Sequence, residues 1–134
     1  MSFDSVPYDI PTRVNQPHQF SYENGIRVTY VEPELVRGEL TVGPDSINPY
    51  GNVHGGAMAT LADTVAGSCA CSRGGRCVTA NFSMEYLRPA TGTKIFCEAT
   101  PKKMGRSLSV IQVVLTNDQN AVVATGTFTF FMIA

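Results

Sequence analysis

Alternating apolar and polar residues predict six β-strands, two before and four after one longer apolar segment. The first two, Ile26–Val31 and Leu35–Val42, are rich in β-branched residues and are separated by a Glu-Pro-Glu turn. The other four follow the same period of two and cover Cys77–Tyr86, Thr93–Lys102, Arg106–Leu115 and Ala121–Met132. In the last of them apolar side chains share one face and threonines the other, which is typical of an antiparallel sheet covered on one side.

The segment between these two groups of strands predicts the one long helix of the chain. Apolar residues recur at helical spacing from His54 to Ala70, and we expect Asn52 to cap the start of this helix. A helix that is apolar around most of its circumference must be covered on most sides, and a strongly curved antiparallel sheet would cover it. The order of two strands, one helix and four strands predicts an α+β fold, although order alone admits more than one such fold.

Length and composition indicate one domain of an ordinary globular type. A chain of 134 residues has room for a single domain, which we place at residues 25–134, and the proline-bearing residues 1–24 are predicted to be an irregular leader. The net charge of −1 provides no clustered positive surface, so nucleic acid is not an expected partner. No stretch approaches the roughly 20 apolar residues of a membrane helix, so a membrane is not expected either.

The N-terminal residues and the cysteines favour a reducing compartment. The first residues lack the basic start and apolar run of a signal peptide, which predicts a cytoplasmic location. The four cysteines are then expected to be reduced thiols. Their spacing, together with only two histidines, does not fit a zinc site, and we expect no metal.

Two ionisable side chains in the predicted helical region are candidates for chemistry. Between Asp45 and Arg73, only His54 and Asp63 carry side chains that are charged near neutral pH. Asp63 lies on a narrow polar stripe of the helix, together with Thr60, Thr64 and Gly67. Counted from Thr60, the other three members follow after three, four and seven residues, which places all of them on one face of the helix. One interpretation is a helix face in water, but such a face normally carries lysine, glutamate or arginine. The stripe therefore also fits a functional carboxylate.

The start of the helix has a sequence suited to binding a developing negative charge. His54 is followed by Gly55 and Gly56, which leave the backbone N–H groups of the first helical turn unshielded. These groups have no partner within the helix and lie at the positive end of its dipole. They are suited to hold a carbonyl oxygen that becomes an oxyanion.

These residues form a motif that resembles a known family. The run Asn48-Pro-Tyr-Gly-Asn-Val-His-Gly-Gly56, with Asp63 nine residues after the histidine, resembles the signature of hotdog-fold thioesterases of the phenylacetate-degradation (PaaI-like) type. Glu85-Tyr-Leu-Arg-Pro89 resembles the end of the following strand in that family. The resemblance covers roughly residues 25–133. It implies a hotdog fold, in which a curved antiparallel sheet of about six strands wraps one central helix, and hydrolysis of acyl-CoA to a free acid and CoA.

The resemblance also implies catalytic roles for particular residues. The N–H group of Gly55, helped by the Asn48 side chain, would polarise the thioester carbonyl. Asp63 would act as general base on water or as nucleophile, and it would come from the neighbouring subunit. His54 would lie near the departing sulfur. Thr79 occupies a position where relatives use a hydroxyl group to orient the water.

Further residues are predicted to bind the substrate, which is the CoA thioester itself, so that no separate cofactor is expected. The candidates near the acyl group and the start of the helix are Gly56, Tyr50 and Met58. The candidates for phosphate contacts are Arg88, Lys102, Lys103, Gly105, Arg106 and Ser107.

The expected assembly is a homo-oligomer, a dimer or a dimer of dimers with shared active sites. A single curved sheet leaves open edges, and open edges invite pairing with a second copy. The alternative function is that of a binder, a hotdog domain that holds acyl-CoA without turnover as a sensor or accessory subunit. No G-x-S-x-G elbow is present, which disfavours a serine hydrolase.

Overall fold

The computed structural model describes residues 9–133 and contains one six-stranded antiparallel sheet that curves around a single long helix. The helices and strands are α1 Ile10–Val14, α2 Phe20–Glu23, β1 Ile26–Glu32, β2 Leu35–Thr41, α3 Gly55–Ala70, β3 Cys77–Tyr86, β4 Lys94–Met104, β5 Leu108–Asn117 and β6 Val122–Met132. The spatial order of the strands is β1-β2-β4-β5-β6-β3, which leaves β1 and β3 at the two edges. The predicted α+β class and the order of two strands, the long helix and four strands are therefore confirmed.

The hairpins of the sheet form where the sequence provides turn residues. Between β5 and β6, the Asn117 side-chain oxygen accepts hydrogen bonds from the backbone N–H groups of Gln119 and Ala121, at 3.0 and 2.9 Å. Between β4 and β5, a Cβ atom at Gly105 would lie 2.5 Å from the carbonyl oxygen of Leu108. Only glycine therefore fits that turn, which gives Gly105 a structural reason to be there.

The core lies between the helix and the concave face of the sheet. Leu61 and Val65 on α3 have no exposed surface, and they pack with buried residues from the strands. Gly38 on β2 lets the two layers approach, since a Cβ atom there would lie 2.5 Å from a methyl carbon of Val65. The helix is thus held against the sheet along its apolar sides, as its composition predicts. Among residues 9–133, no helix combines the length and apolar character that crossing a bilayer requires.

The N-terminal segment is more regular than the sequence indicated. Residues 10–23 contain two short helices, α1 Ile10–Val14 and α2 Phe20–Glu23, so the irregular course predicted for residues 1–24 is wrong over this part. Residues 1–8 of the predicted leader and Ala134 of the predicted domain lie outside the described residues. The side chain of Asn15, which follows α1, bonds both backbone groups of Val28, at 2.8 and 2.9 Å. These bonds occupy part of the otherwise open edge of β1. The domain boundary at residue 24 stays a prediction.

Candidate functional site

A short hydrogen-bonded loop places the start of α3. The side-chain oxygen of Asn48 accepts hydrogen bonds from the backbone N–H groups of Tyr50 and Asn52, at 3.0 and 3.1 Å. The backbone N–H of His54 donates to the carbonyl oxygen of Ser46 at 2.7 Å. Because the Asn48 oxygen is used inside the loop, its side-chain NH₂ group is the part that remains suited to a ligand.

The helix is capped by His54 and not by Asn52, which corrects the sequence prediction. His54 Nδ1 accepts a hydrogen bond from the backbone N–H of Gly56 at 2.8 Å. An accepting Nδ1 places the ring proton on Nε2, where it can be donated outward. The amide of Gly56 is thus occupied by the cap, whereas the N–H of Gly55 has no protein partner within residues 9–133.

Tyr86, at the end of β3, holds the first turn of the helix. Its hydroxyl group donates to the carbonyl oxygen of Gly55 at 2.8 Å, and a Cβ atom at Gly55 would lie 3.4 Å from its ring. Partial burial raises the pKa of the Tyr86 hydroxyl, which keeps it a donor at neutral pH. The Glu85–Pro89 motif contains this tyrosine, but its role was not predicted from the sequence. Its contact joins the end of the strand to the start of the helix.

We expect Tyr86→Phe to lower the free energy of unfolding by about 0.5–1.5 kcal/mol, because the variant loses one hydrogen bond to the helix start. Urea unfolding followed by circular dichroism measures this change. Tyr30→Phe is a matched control, since the Tyr30 hydroxyl donates to an exposed glutamate side chain, Glu32, two residues away and not to the helix start. Equal stability of the Tyr86→Phe variant and the wild type would show that the Tyr86–Gly55 bond does not hold the turn.

Asp63 and Thr79 meet in the wall of an open cavity. The hydroxyl group of Thr79 on β3 donates to Asp63 Oδ1 on α3 at 2.7 Å. Both residues line an open cavity of about 680 Å³. Asp63 is half-buried, so it lies in the wall of a cavity and not on an open solvent-facing helix surface. The structure therefore brings together two of the predicted catalytic residues, which are 16 positions apart in the chain.

A β-bulge aims Thr79 at the helix. The register of β3 against β6 shifts between Thr79 and Asn81, so Thr79 faces Phe130 while Asn81 faces Thr129. One extra residue in a strand changes which side chains point to a given face, and bulges are frequent next to active sites. Because of this shift, both Thr79 and Phe82 point toward the helix side, where Phe82 stacks on the buried ring of Phe128.

The other hydroxyl groups of the polar stripe are satisfied within the helix. Thr60, Thr64 and Ser68 each donate to the carbonyl oxygen four residues earlier, at 2.8 Å in every case. Threonine and serine inside helices commonly make this bond. Asp63 differs from them because Thr79, which donates to its carboxylate, lies on a strand. Asp63 therefore presents a carboxylate to the cavity.

The remaining walls of the cavity come from parts of the chain that the sequence did not assign to a site. The first helix contributes Ile10, Arg13 and Val14, so the N-terminal segment borders the cavity that holds Asp63. The last strand and its continuation contribute Phe130 and Ile133. No periodic or motif signal in residues 9–24 pointed to this position, because it depends on how α1 packs against β1.

Two cysteines line the same cavity close to each other. The Sγ atoms of Cys71, at the end of α3, and Cys77, at the start of β3, are 3.3 Å apart. Cys77 also lies 3.6 Å from the carbonyl oxygen of Gly67. The hydrogen bond with Cys71, followed by burial and the nearby charge of Asp63, raises the pKa of the Cys77 thiol. Within residues 9–133, no cluster of three or more histidine, cysteine or carboxylate side chains is arranged to hold a metal ion.

The other predicted site residues lie away from this cavity in the single chain. Gly55 is eight residues before Asp63, and at the helical rise this separation is about 12 Å. Tyr50 is 88 % exposed, on the loop before the helix. Met58 is 3 % exposed and belongs to the hydrophobic core, so its side chain supports the helix instead of presenting a surface to a ligand.

The predicted phosphate contacts fall at two opposite ends of the sheet. Arg88 is exposed just after β3, at the end where Tyr86 contacts the helix start. Ser107 lies at the other end, where its carbonyl oxygen accepts from the backbone N–H of Met132, which pairs with Cys77. The exposed residues of that turn are Lys102, Lys103, Arg106 and Ser107. One chain therefore does not bring Arg88 and this turn together.

Comparison with known proteins identifies the family by sequence. The family model described as "Thioesterase superfamily" matches residues 50–124, which include Asp63, Thr79 and Tyr86. Acyl-coenzyme A thioesterase 13 of Mus musculus is 36 % identical over 97 residues, which cover 68 % of this chain and 69 % of the mouse protein.

Solved structures resemble the chain in fold and, in one case, in the spacing of two residues. The E. coli PaaI protein from the phenylacetic acid degradation operon has a TM-score of 0.89 over 99 % of this chain and 97 % of its own, and its 20 % identity limits the likeness to the fold. A hypothetical thioesterase protein of Streptococcus pneumoniae TIGR4, solved with coenzyme A, is 30 % identical, with a TM-score of 0.78 over 85 % of this chain and 89 % of its own.

Two further structures of the S. pneumoniae thioesterase carry an aspartate or a threonine replaced by alanine. The two replaced residues are 16 positions apart, as Asp63 and Thr79 are in this chain. The predicted hotdog fold and the predicted thioesterase family are confirmed by these comparisons. Since the family model covers more than half of the chain, this protein belongs to the thioesterase superfamily.

Proposed function

We propose that this protein hydrolyses acyl-CoA thioesters to a free acid and CoA, with Asp63 as the catalytic carboxylate. The observation that carries the proposal is the Thr79–Asp63 hydrogen bond in the wall of a cavity large enough for an acyl group. The coenzyme A bound to the S. pneumoniae relative and the name of the mouse relative support the substrate class. The reaction consumes only the thioester and water, so we propose no cofactor, and we place it in the cytoplasm.

The geometry suggests how the proton and the charge would move. Thr79 donates to Asp63 Oδ1, which leaves Oδ2 to accept a proton from a water molecule that attacks the thioester carbonyl carbon. The carbonyl oxygen gains negative charge, and the N–H of Gly55 at the helix start would stabilise it. The C–S bond then breaks, with His54 Nε2–H near the departing sulfur to donate a hydrogen bond. The proton that Asp63 took from water would pass through solvent to this sulfur, so that CoA-SH leaves and Asp63 is ionised again. Attack by Asp63 itself on the carbonyl carbon remains the other form of the mechanism.

This mechanism requires two chains, because Gly55 and Asp63 of one chain are too far apart to contact the same carbonyl group. The sheet offers one suitable edge for a partner. On β1, the Asn15 side chain covers the edge at Val28. On β3, Val78 and Phe82 are each 50 % exposed, so β3 is the edge that we propose for the partner.

Antiparallel pairing of two β3 strands would align the end of each strand with the beginning of the other. Tyr86, which contacts Gly55, would then lie near the beginning of the partner strand, where Thr79 bonds Asp63 of the partner helix. The same pairing would bring Arg88 of one chain toward the 102–107 turn of the other. A homodimer with shared active sites is therefore part of the proposal, and dimers of dimers would preserve it.

We expect Ser83→Lys to produce a folded monomer that has lost most of its thioesterase activity, since Ser83 is exposed on β3 and a lysine on an edge strand opposes pairing. Sedimentation measures the oligomeric state, and circular dichroism checks the fold. Val114→Lys is a matched control, because Val114 is also exposed but lies on the inner strand β5. A monomeric Ser83→Lys variant with wild-type turnover would rule out the shared site.

The function itself is tested by release of CoA-SH from a panel of short, long, branched and aryl acyl-CoAs, followed with a thiol reagent. Catalytic release from at least one class of acyl group is expected. Stoichiometric binding of the thioesters without turnover would contradict the hydrolase and would favour the acyl-CoA binder.

A further inference from the structure

Two contacts of β3 with α3 stand side by side at the cavity. The Thr79 hydroxyl group bonds Asp63, and the Cys77 thiol, two residues earlier on the strand, contacts the carbonyl oxygen of Gly67, four residues later on the helix. The two contacts are thus consecutive links between the same strand and the same helix. A chemical change at Cys77 therefore alters the strand–helix contact next to the Thr79–Asp63 hydrogen bond.

The Cys71–Cys77 pair has the geometry of two thiols close to bonding. Their Sγ atoms are 3.3 Å apart, and a disulfide requires about 2.05 Å, so an approach of a little over 1 Å is needed. The loop between them contains Gly74 and Gly75, with φ of 106° and 86°, and glycine tolerates the backbone adjustments that such an approach demands. Both sulfurs line the open cavity, so a small oxidant that enters the cavity can reach them.

We propose that Cys71 and Cys77 form an oxidative modification site, at which a peroxide converts the two thiols into an intrachain disulfide. The Cys71 sulfur, as thiolate, attacks one oxygen of the peroxide and breaks the O–O bond, which forms a sulfenic acid, and the departing hydroxide takes up the proton lost by the thiol and leaves as water. The second sulfur attacks the sulfenic sulfur, the S–S bond forms, and a second water leaves. Each sulfur loses one electron and the peroxide gains two, so the step is balanced with no other reactant.

The disulfide alters the site beside it. Its formation removes the Cys77 S–H group that contacts Gly67 and draws the start of β3 toward the end of α3 by about 1 Å. Thr79 is two residues away on the same strand. Since a misplacement of about 1 Å can cost about 10²-fold in rate, oxidation is expected to lower turnover by up to that factor. This effect on turnover rests on the proposed function, whereas the disulfide itself does not.

The modification is tested by treating the native protein with hydrogen peroxide, blocking the remaining thiols with iodoacetamide under denaturing conditions, and digesting with trypsin. Cleavage after Arg37, Arg73, Arg76, Lys94 and Lys102 separates three cysteine peptides, residues 38–73, 77–94 and 95–102. The expected result is a linked pair of peptides 38–73 and 77–94, two hydrogen atoms lighter than their sum, that dithiothreitol separates. Absence of this pair, or linkage to peptide 95–102 instead, would overturn the proposal.

Matched variants identify the bonded sulfur on the helix, because peptide 38–73 also contains Cys69. Cys71→Ser should abolish the linked pair of peptides and make turnover insensitive to peroxide. Cys69→Ser should preserve both the linked pair and the loss of turnover on peroxide treatment. The reverse pattern would exclude Cys71. A linked pair in a protein that hydrolyses no acyl-CoA would retain the modification site and contradict only the proposed function.

Discussion

Asp63→Asn is expected to lower kcat for acyl-CoA hydrolysis by about 10²–10⁴-fold, the range typical of a removed general base. Asparagine keeps the shape of the side chain and an oxygen that can accept from Thr79, so the fold should remain intact. What it loses is the charged oxygen that takes the proton from water or attacks the carbonyl carbon. The measurement is the release of CoA-SH at saturating substrate, with circular dichroism as the check of folding.

The matched control is Asp45→Asn, which removes an exposed carboxylate outside the cavity and should leave kcat unchanged. Near wild-type turnover in folded Asp63→Asn would show that this carboxylate is not catalytic. A comparable loss in Asp45→Asn would show that the effect comes from net charge and not from the position of the carboxylate.

Gly55→Pro should reduce kcat by about 10²–10³-fold, the usual consequence of losing one oxyanion donor. Gly55 is the first residue of α3, a position at which proline fits a helix because its missing N–H has no helical partner. His54 before it has φ of −62° and ψ of 136°, a conformation that a following proline permits. The substitution therefore removes the N–H group while preserving the helix start, and kcat with circular dichroism measures both.

Gly55→Ala is the control, because it keeps the N–H and adds a Cβ atom 3.4 Å from the Tyr86 ring. We expect it to retain much more activity than Gly55→Pro. Mixing Gly55→Pro with Asp63→Asn after joint refolding should restore activity, since a mixed dimer holds one site with an intact Gly55 and the partner subunit's intact Asp63. No recovery in verified mixed dimers would mean that each site is built within one chain.

The elements of the fold could be predicted from the sequence because their signals are local. Apolar residues recur every two positions in the strands and about every 3.6 positions in α3, and this spacing indicates which side of each element is buried. The turn at Asn117 was predictable for the same reason, since asparagine bonds its own neighbouring backbone. The two helices within residues 10–23 could not be predicted, because each has five residues or fewer and shows no amphipathic period.

The residues of the candidate site were predictable in kind but not in arrangement. Asp63 could be singled out, since it is an isolated acid on an otherwise apolar helix. Its contact with Thr79 could not be derived from local pattern, because it depends on a bulge that changes which side chains of β3 face the helix. The cap was assigned to Asn52 from propensity, yet His54 makes it, since α3 begins at Gly55 and the His54 ring accepts from the N–H of Gly56.

The sequence by itself determined one apolar helix among six strands, an acid on that helix and glycines at its start, because composition and periodicity act between near neighbours. Only the tertiary structure decided that Thr79 bonds Asp63, that α1 borders their cavity and that Cys71 approaches Cys77. These contacts join elements far apart in the chain, so they depend on the register, the bulge and the packing of the whole sheet around the helix.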